Sequence, residues 1–318
     1  MSLLLSALSL GFIFGLLALG VFVSFRIFAI PDITVDGSIT FGGALCAVLL
    51  VNGWPPLVAT LAGGVAGCLA GALTGLLQTR CGINSLLAGI LVMTGLYSVN
   101  LHLMGRSNVP LLDVRTIADQ SQTVAMWLLG REEIAIGVWV VPSREIVMLF
   151  AFALISCLVA VALYLFFRTD LGTAMRVSGN NEEMARALGV NVKTYRVLGL
   201  ALANGLVGAA GALWVQAQGF ADAQMGIGTI VIGLASVIIG EAIIGGGRGG
   251  LGLALCGTLI GSILFRQLIA LAIRGGLDPN DLKLATATFV FIALVFPRVV
   301  SWLREKYALR GRVAVPGR

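Results

Sequence analysis

Gly179-Asn180-Asn181-Glu182-Glu183-Met184-Ala185-Arg186-Ala187-Leu188-Gly189-Val190 is a polar island in an apolar chain. Runs long and apolar enough to cross a bilayer flank it, about 145–167 before and 197–217 after. Only 11% of the residues are charged. Yet Arg168, Asp170, Arg176, Glu182, Glu183, Arg186, Lys193 and Arg196 all fall in this one loop, residues 168–196. Asn180 or Asn181 supplies an N-cap, the two glutamates fill the first turn, and Gly189 gives a stop, so a short helix is expected inside the loop. A capped polar helix between two spans is suited to docking a soluble partner.

Working outward, 58% of the residues are hydrophobic and the mean hydropathy is +1.00. Windows of about 20 apolar residues recur along the whole length, which marks an all-α, polytopic transmembrane bundle. The alternating pattern of a transmembrane barrel is absent. The first run starts near Met1 with no basic n-region and no small-residue cleavage site, so it is expected to be a retained span. Nine apolar segments are expected: 3–25, 38–52, 55–77, 83–103, 145–167, 197–217, 224–244, 251–273 and 281–297. Segments 38–52 and 224–244 are short or punctuated by glycine, and are expected to be broken or partly re-entrant. The whole of 1–318 reads as a single membrane domain.

Orientation follows from Lys and Arg. Placing 168–196 in the cytoplasm puts basic residues there by two to one over the opposite face. The N-terminus is then outside and the C-terminus inside. Segment 104–144, with Trp127 and Trp139, falls outside as a connector or docking element. The tail 298–318 carries Arg298, Arg304, Lys306, Arg310, Arg312 and Arg318, a cytoplasmic anchor beside anionic membrane lipid.

Gly63, Gly67, Gly71 and Gly75 recur every fourth residue and form one helix stripe. Such stripes let helix backbones approach closely where lipid gives no hydrophobic drive. A weak inverted repeat is also expected. Segment 3–25 is followed by Pro31 to Ser38 and a short apolar run; segment 197–217 is followed by Gln218 to Ala223 and a glycine-broken run. Interrupted helices in inverted repeats flank transport paths.

Catalysis has no obvious seat. One histidine, His102, cannot make a catalytic set or a metal site. Cys46, Cys68, Cys81, Cys157 and Cys256 stand singly, as small buried hydrophobes. The glycine-rich stretch Gly245 to Gly250 lacks the ending of a phosphate loop and reads as a turn. The charge of +6 reports topology and not nucleic-acid binding. The path candidates are Asp32, Asp36, Ser38, Asn204 and Asp222, because polar groups in spans face an interior or a cavity. Asp36 is equally suited to capping the half-helix that follows it. Asn204 also suits interhelical glue, and Glu241 an ion pair with Arg248.

These stretches resemble the inner-membrane permeases of the branched-chain amino acid and ribose type of ABC importer. Those permeases carry a Gly-Asn-x-x-Ala-Ala-Arg-x-x-Gly-Ile/Val-like loop; Asn181, Glu182, Arg186, Gly189 and Val190 match it, and Met184 departs. Asp32 to Ser38 and Gly246 to Gly250 are similar to two further family segments, with Pro31 and Thr34 differing. The stretch from Gly15 to Ser38 is most similar to a tryptophan/tyrosine-type or uncharacterised uptake subgroup. The resemblance implies an importer subunit in the bacterial inner membrane, two copies per complex, moving a small amino acid-like solute delivered by a periplasmic binding protein. It implies that Asn181, Glu182, Glu183, Ala185, Arg186 and Gly189 couple to a cytoplasmic ATPase, which holds ATP and Mg while this chain binds no cofactor. The alternative is an ion-coupled secondary transporter using Asp32, Asp36, Asp222 and Glu241. A third reading is a non-transporting scaffold.

Overall fold

Long apolar runs give long helices where local signals start and stop them. In a computed structural model of the chain, residues 2–292 and 295 are described, apart from 113, 132, 137–138, 245–249, 279–280 and 282–283. Helix α1 (Ser2–Val21) passes into a π-helical segment, Phe22–Ile27, and the chain then turns through Ala29 at φ 52°. Helix α2 (Thr34–Val51) starts where Asp32 Oδ1 accepts the Thr34 N–H at 3.0 Å. Helix α3 (Pro56–Thr79) begins with proline in its first turn, where the missing N–H costs nothing. Helix α4 (Ser85–Met104) is capped by Asn84 and stopped by Gly105 at φ 66°.

A connecting region follows: β1 (Asn108–Pro110), α5 (Ile117–Leu129), β2 (Glu133–Ile136) and β3 (Trp139–Pro142). Helix α5 opens with a capping box between Thr116 and Asp119. Then come α6 (Ser143–Phe166), α7 (Asp170–Asn180), α8 (Glu182–Ala187), α9 (Val192–Gln218), β4 (Phe220–Asp222), α10 (Thr229–Ile244) and α11 (Leu251–Arg274). Among the described residues, seven helical stretches are long and apolar enough to span: Leu3–Ile27, Thr34–Val51, Pro56–Thr79, Ser85–Met104, Ser143–Phe166, Val192–Gln218 and Leu251–Arg274. Helix α10, with 16 residues, is shorter than a full span.

Helix α9 is the axis of the bundle. The glycine stripe of α3 lies antiparallel along it. A Cβ on Gly71 would land on the Leu200 carbonyl, one on Gly67 on the Asn204 carbonyl, one on Gly63 against Gly42 and Ala212, and one on Gly75 against the Val197 backbone at 2.8 Å. Gly208 and Gly211 extend the contact from α9 to α3 and to the Ile39 carbonyl of α2. Backbones this close replace side-chain burial with dispersion contacts. Gly261 makes the same approach to Ser236 between α11 and α10.

Some expectations change. Segment 38–52, expected to be broken, is one continuous helix within Thr34–Val51, whereas 224–244 does break, into turns up to Gly228 and a helix from Thr229. The ninth segment, 281–297, is helical over 284–292, and its remainder lies mostly outside the described residues. The glycine turn 245–249 and the tail 298–318 lie outside them too. The bundle also carries two small antiparallel pairs, β1 with β4 and β2 with β3, which the all-α reading lacked. Of the cysteines only Cys46 is buried; Cys81 is exposed in the turn after α3, and Cys157 and Cys256 are exposed on α6 and α11, because helix surfaces in a bilayer face acyl chains and need no polar cover.

Candidate functional site

Three of the five polar path candidates meet at one place. Asn204, fully buried on α9, donates from Nδ2 to Asp32 Oδ2 at 2.6 Å and to the Leu200 carbonyl at 3.0 Å. Its Oδ1 accepts the Ser38 hydroxyl at 2.7 Å. Asp32 is buried as well, so its carboxylate is held by the Thr34 N–H on one oxygen and Asn204 on the other. A buried charge is tolerable only when hydrogen-bonded in this way. Beside it, Thr34 and Thr74 share a hydrogen bond of 2.8 Å that ties α2 to α3.

Asp36 does not cap the helix that follows it. It lies in the first turn of α2 and reaches across to α10. Oδ2 accepts the Gly228 N–H at 2.8 Å; Oδ1 accepts the Ile230 N–H at 2.8 Å and the Thr229 hydroxyl at 3.0 Å. Helix α10 starts at this point with free N–H groups and the positive end of its dipole, and a carboxylate answers both. The capping of α2 falls to Asp32 instead. Helices α2 and α10 thus begin together inside the bundle. Helix α2 then runs past Ala212 toward β4, while α10 runs toward Arg26. Gly226 N–H donates to Thr40 Oγ1 at 3.1 Å and closes the junction.

Asp222 lies apart from this centre. It pairs with Asn108 in the β1–β4 ladder and its Oδ1 accepts the Gln224 N–H at 2.7 Å. Glu241 bonds Arg26 Nε at 2.7 Å, joining α10 to the π-helical segment. The expected partner, Arg248, lies outside the described residues.

The polar island forms two helices. Asn181 caps α8, its Oδ1 accepting the Met184 N–H at 2.9 Å. Glu182 holds Arg186 at 2.5 Å and Arg196 of α9 at 3.1 Å. Gly189 ends the turn at φ 80°, a left-handed conformation that favours glycine. Ala185 is fully buried, whereas Glu183, Met184, Arg186 and Leu188 are exposed, so α8 presents a mixed charged and apolar face. Helix α7 rests on the end of α1: a Cβ on Gly179 would strike the Ile27 carbonyl. A cavity of about 710 Å³ lies there, lined by Arg26, Ile27, Arg176, Asn180, Glu241 and Leu251 among others.

Sequence reasoning missed Thr229, Ile230 and Arg26 as partners, and missed Gln216. Gln216 donates to Thr60 Oγ1 at 2.8 Å and accepts the Ile117 N–H at 3.3 Å, so it ties α9 to α3 and α5. A glutamine within a long apolar helix was a usable signal for that buried hub.

The family model described as branched-chain amino acid transport system / permease component matches residues 3–295. The chain is 36% identical to the tyrosine transport system permease protein of Clostridioides difficile strain R20291, over 92% of this chain and 91% of that one. It is 31% identical to the uncharacterized protein RP368 of Rickettsia prowazekii strain Madrid E, over 92% of this chain and 97% of the relative. The ribose import permease protein RbsC of Escherichia coli strain K12 is 26% identical, over 73% of this chain and 66% of that protein.

Proposed function

The chain belongs to the branched-chain amino acid transport system permease family, and from that premise we propose that it is the membrane subunit of an ATP-driven importer for an aromatic amino acid such as tyrosine. The observation that carries the coupling half of this reading is α8, a capped helix with an exposed charged and apolar face set between two spans. The tyrosine permease likeness carries the substrate half. A binding protein delivers the solute outside, and a cytoplasmic ATPase docks on Glu182, Glu183, Arg186 and their neighbours. Two copies of this chain form the pore in the bacterial inner membrane. The N-terminus faces out and the α8 loop faces the cytoplasm, by the basic-residue asymmetry.

The packing offers a mechanical route. Force on α8 passes to α7, which rests on Ile27 through Gly179. The π-helical segment carries it to Arg26, and the ion pair with Glu241 carries it to α10. Helix α10 begins at Asp36, beside Asp32, Ser38 and Asn204. The two access states are a rigid-body pair whose balance ATP binding shifts.

The test is uptake into proteoliposomes holding the permease with its ATPase and binding protein. Uptake of L-tyrosine that needs ATP and both partners is expected. Uptake driven by a proton or sodium gradient with no ATPase present would overturn the reading in favour of ion coupling.

A further inference from the structure

Arg266 is a cation inside a membrane helix that the coupling route above does not use. It stands on α11 between Phe265, which is buried, and Gln267, well inside the Leu251–Arg274 helix. Its guanidinium lies over the Phe14 ring of α1, 3.7 Å from the centroid. Phe14 in turn meets Trp214 of α9 edge-on, with ring centroids 4.9 Å apart. Arg266 Nε is buried and has no hydrogen-bond partner. The ion pairs among the described residues are Arg26–Glu241, Arg186–Glu182 and Arg196–Glu182, and none involves Arg266.

A charged guanidinium without a carboxylate is costly in a bilayer, and such residues mark substrate or ion pathways. The ring face offsets part of that cost by cation–π attraction. It leaves the single N–H of Nε unused. Arginine presents its donors in a planar fork that fits a carboxylate. Phe14 also sits in the same apolar cluster as Ile230, the α10 residue whose N–H Asp36 holds. So Phe14, on whose face the unpaired cation rests, belongs to the apolar cluster that also takes in a residue at the start of α10.

We propose that Arg266, with Phe14 and Trp214, forms a transient recognition point for the carboxylate and ring of an aromatic amino acid on its way through the bundle. The proposal rests on the amino-acid reading above and names the group that would meet the substrate. Arg266 faces the substrate's carboxylate. Phe14 orients the guanidinium, and Trp214 orients Phe14. A purely structural arginine would instead act only through assembly and stability.

The experiment has two arms, the first on the assembled complex with ATPase and binding protein, the second on the permease–ATPase complex with the binding protein left out so that its own site does not report. In the first, ATP-driven uptake of L-tyrosine and L-leucine is measured for wild type, Arg266→Gln and Arg266→Lys. Arg266→Gln is expected to cut uptake of whichever amino acid the wild type carries at least tenfold, with ATPase association and binding-protein-stimulated ATP hydrolysis kept. Arg266→Lys is expected to recover part of the loss, since it restores the charge without the fork. In the second, radiolabelled L-tyrosine binding to the wild-type complex in nanodiscs is competed with 3-(4-hydroxyphenyl)propionate and with tyramine. The propionate, which keeps the carboxylate, should compete, and tyramine, which lacks it, should not. Wild-type uptake with Arg266→Gln within twofold of it overturns the inference alone. If Arg266→Gln fails to assemble, the competition arm decides: equal competition by tyramine overturns the inference. Absence of both uptakes in the wild type overturns the amino-acid reading and the inference with it.

Discussion

Asp36 Oδ1 accepts the Ile230 N–H at 2.8 Å across a sequence separation of 194 residues. With the Gly228 and Thr229 bonds, one carboxylate in the first turn of α2 fixes where α10 begins. The two halves of the chain are joined at the starts of their short helices.

Replacing Asp36 separates capping from ion coupling. Asn keeps one acceptor oxygen but turns an NH₂ donor toward an N–H group, so Asp36→Asn should lose one bond, about 1 kcal/mol of stability. Asp36→Leu leaves the Gly228 and Ile230 N–H groups at the start of α10 unanswered and should cost about 2–4 kcal/mol. Thermal unfolding in detergent checks the order. In ATP-driven uptake Asp36→Asn should keep a large share of activity and Asp36→Leu little. Equal abolition by both, with stability unchanged, would favour a protonating or ion-binding role.

Asn204 is the hinge of the second polar cluster. Asn204→Ala removes the donor to Asp32 and the acceptor for Ser38, both buried. The loss should be about 2–3 kcal/mol, dominated by the stranded carboxylate. Ser38→Ala removes one neutral bond and should cost about 1 kcal/mol. A double-mutant cycle between the two positions should show coupling of about 0.5 kcal/mol or more. Additive effects would mean that the two side chains act independently.

The α3–α9 contact discriminates between neighbouring glycines. Gly67→Ala drives a Cβ into the Asn204 carbonyl, backbone that cannot swing aside. It should cost about 1–3 kcal/mol. At Gly64 the nearest atoms, Ala209 Cβ and the Gly205 carbonyl, lie 3.5 Å from the added carbon, ordinary contact. Gly64→Ala should be close to neutral. Equal melting temperatures for the two variants would contradict the packing described.

The α8 face can be altered with little effect on folding. Exchanging Glu182 and Arg186 keeps a charge pair within α8 but sets a cation against Arg196. Exposed pairs of this kind are worth about 0.2–1 kcal/mol. The expected outcome is a small stability change with loss of ATPase co-purification. Gly189→Val, at φ 80°, should add strain of about 1–2 kcal/mol at the helix end. Survival of ATPase association in the triple variant would refute docking at α8.

Topology is checked by labelling. Met184 is 57% exposed on α8. Met184→Cys on a cysteine-free background should react with an impermeant maleimide in inside-out vesicles and not in intact cells. Labelling in intact cells would reverse the orientation assigned to the chain.

What was legible in the sequence was local or periodic. The spans show because about 20 apolar residues are needed to cross a bilayer. The caps Asn181 and Gly189 show because their partners lie within one helical turn. The glycine spacing on α3 also shows, although the helix it would face does not. Of the two roles the sequence offers Asp36, the local cap fails for a physical reason: a carboxylate followed by Gly37 and Ser38 looks like a cap, but its donors stand at 228–230. Glu241 was matched to Arg248 along the chain, while Arg26 lies close only in space. Strands β1 and β4, three residues each, are too short to leave an alternation pattern. Arg266 is only one more basic residue in the sequence, because its burial depends on α1 and α11 folding together around it.

The polar fastening of α10 is unequal at its two ends. At its start, three bonds to one carboxylate hold it, and the chain just before it is clamped by the β1–β4 ladder. At its far end, the polar tie to the π-helical segment is a single ion pair, Arg26–Glu241, with side chains 51% and 28% exposed and open to screening by salt, while Gly240 packs directly on the Gly257 backbone of α11. The polar grip on this helix is thus threefold at one end and single and salt-sensitive at the other, with close packing on α11 along its length. Asp36 is therefore the anchor that salt does not loosen, and amide exchange should rise with ionic strength at the Glu241 end of α10 before it rises at Ile230.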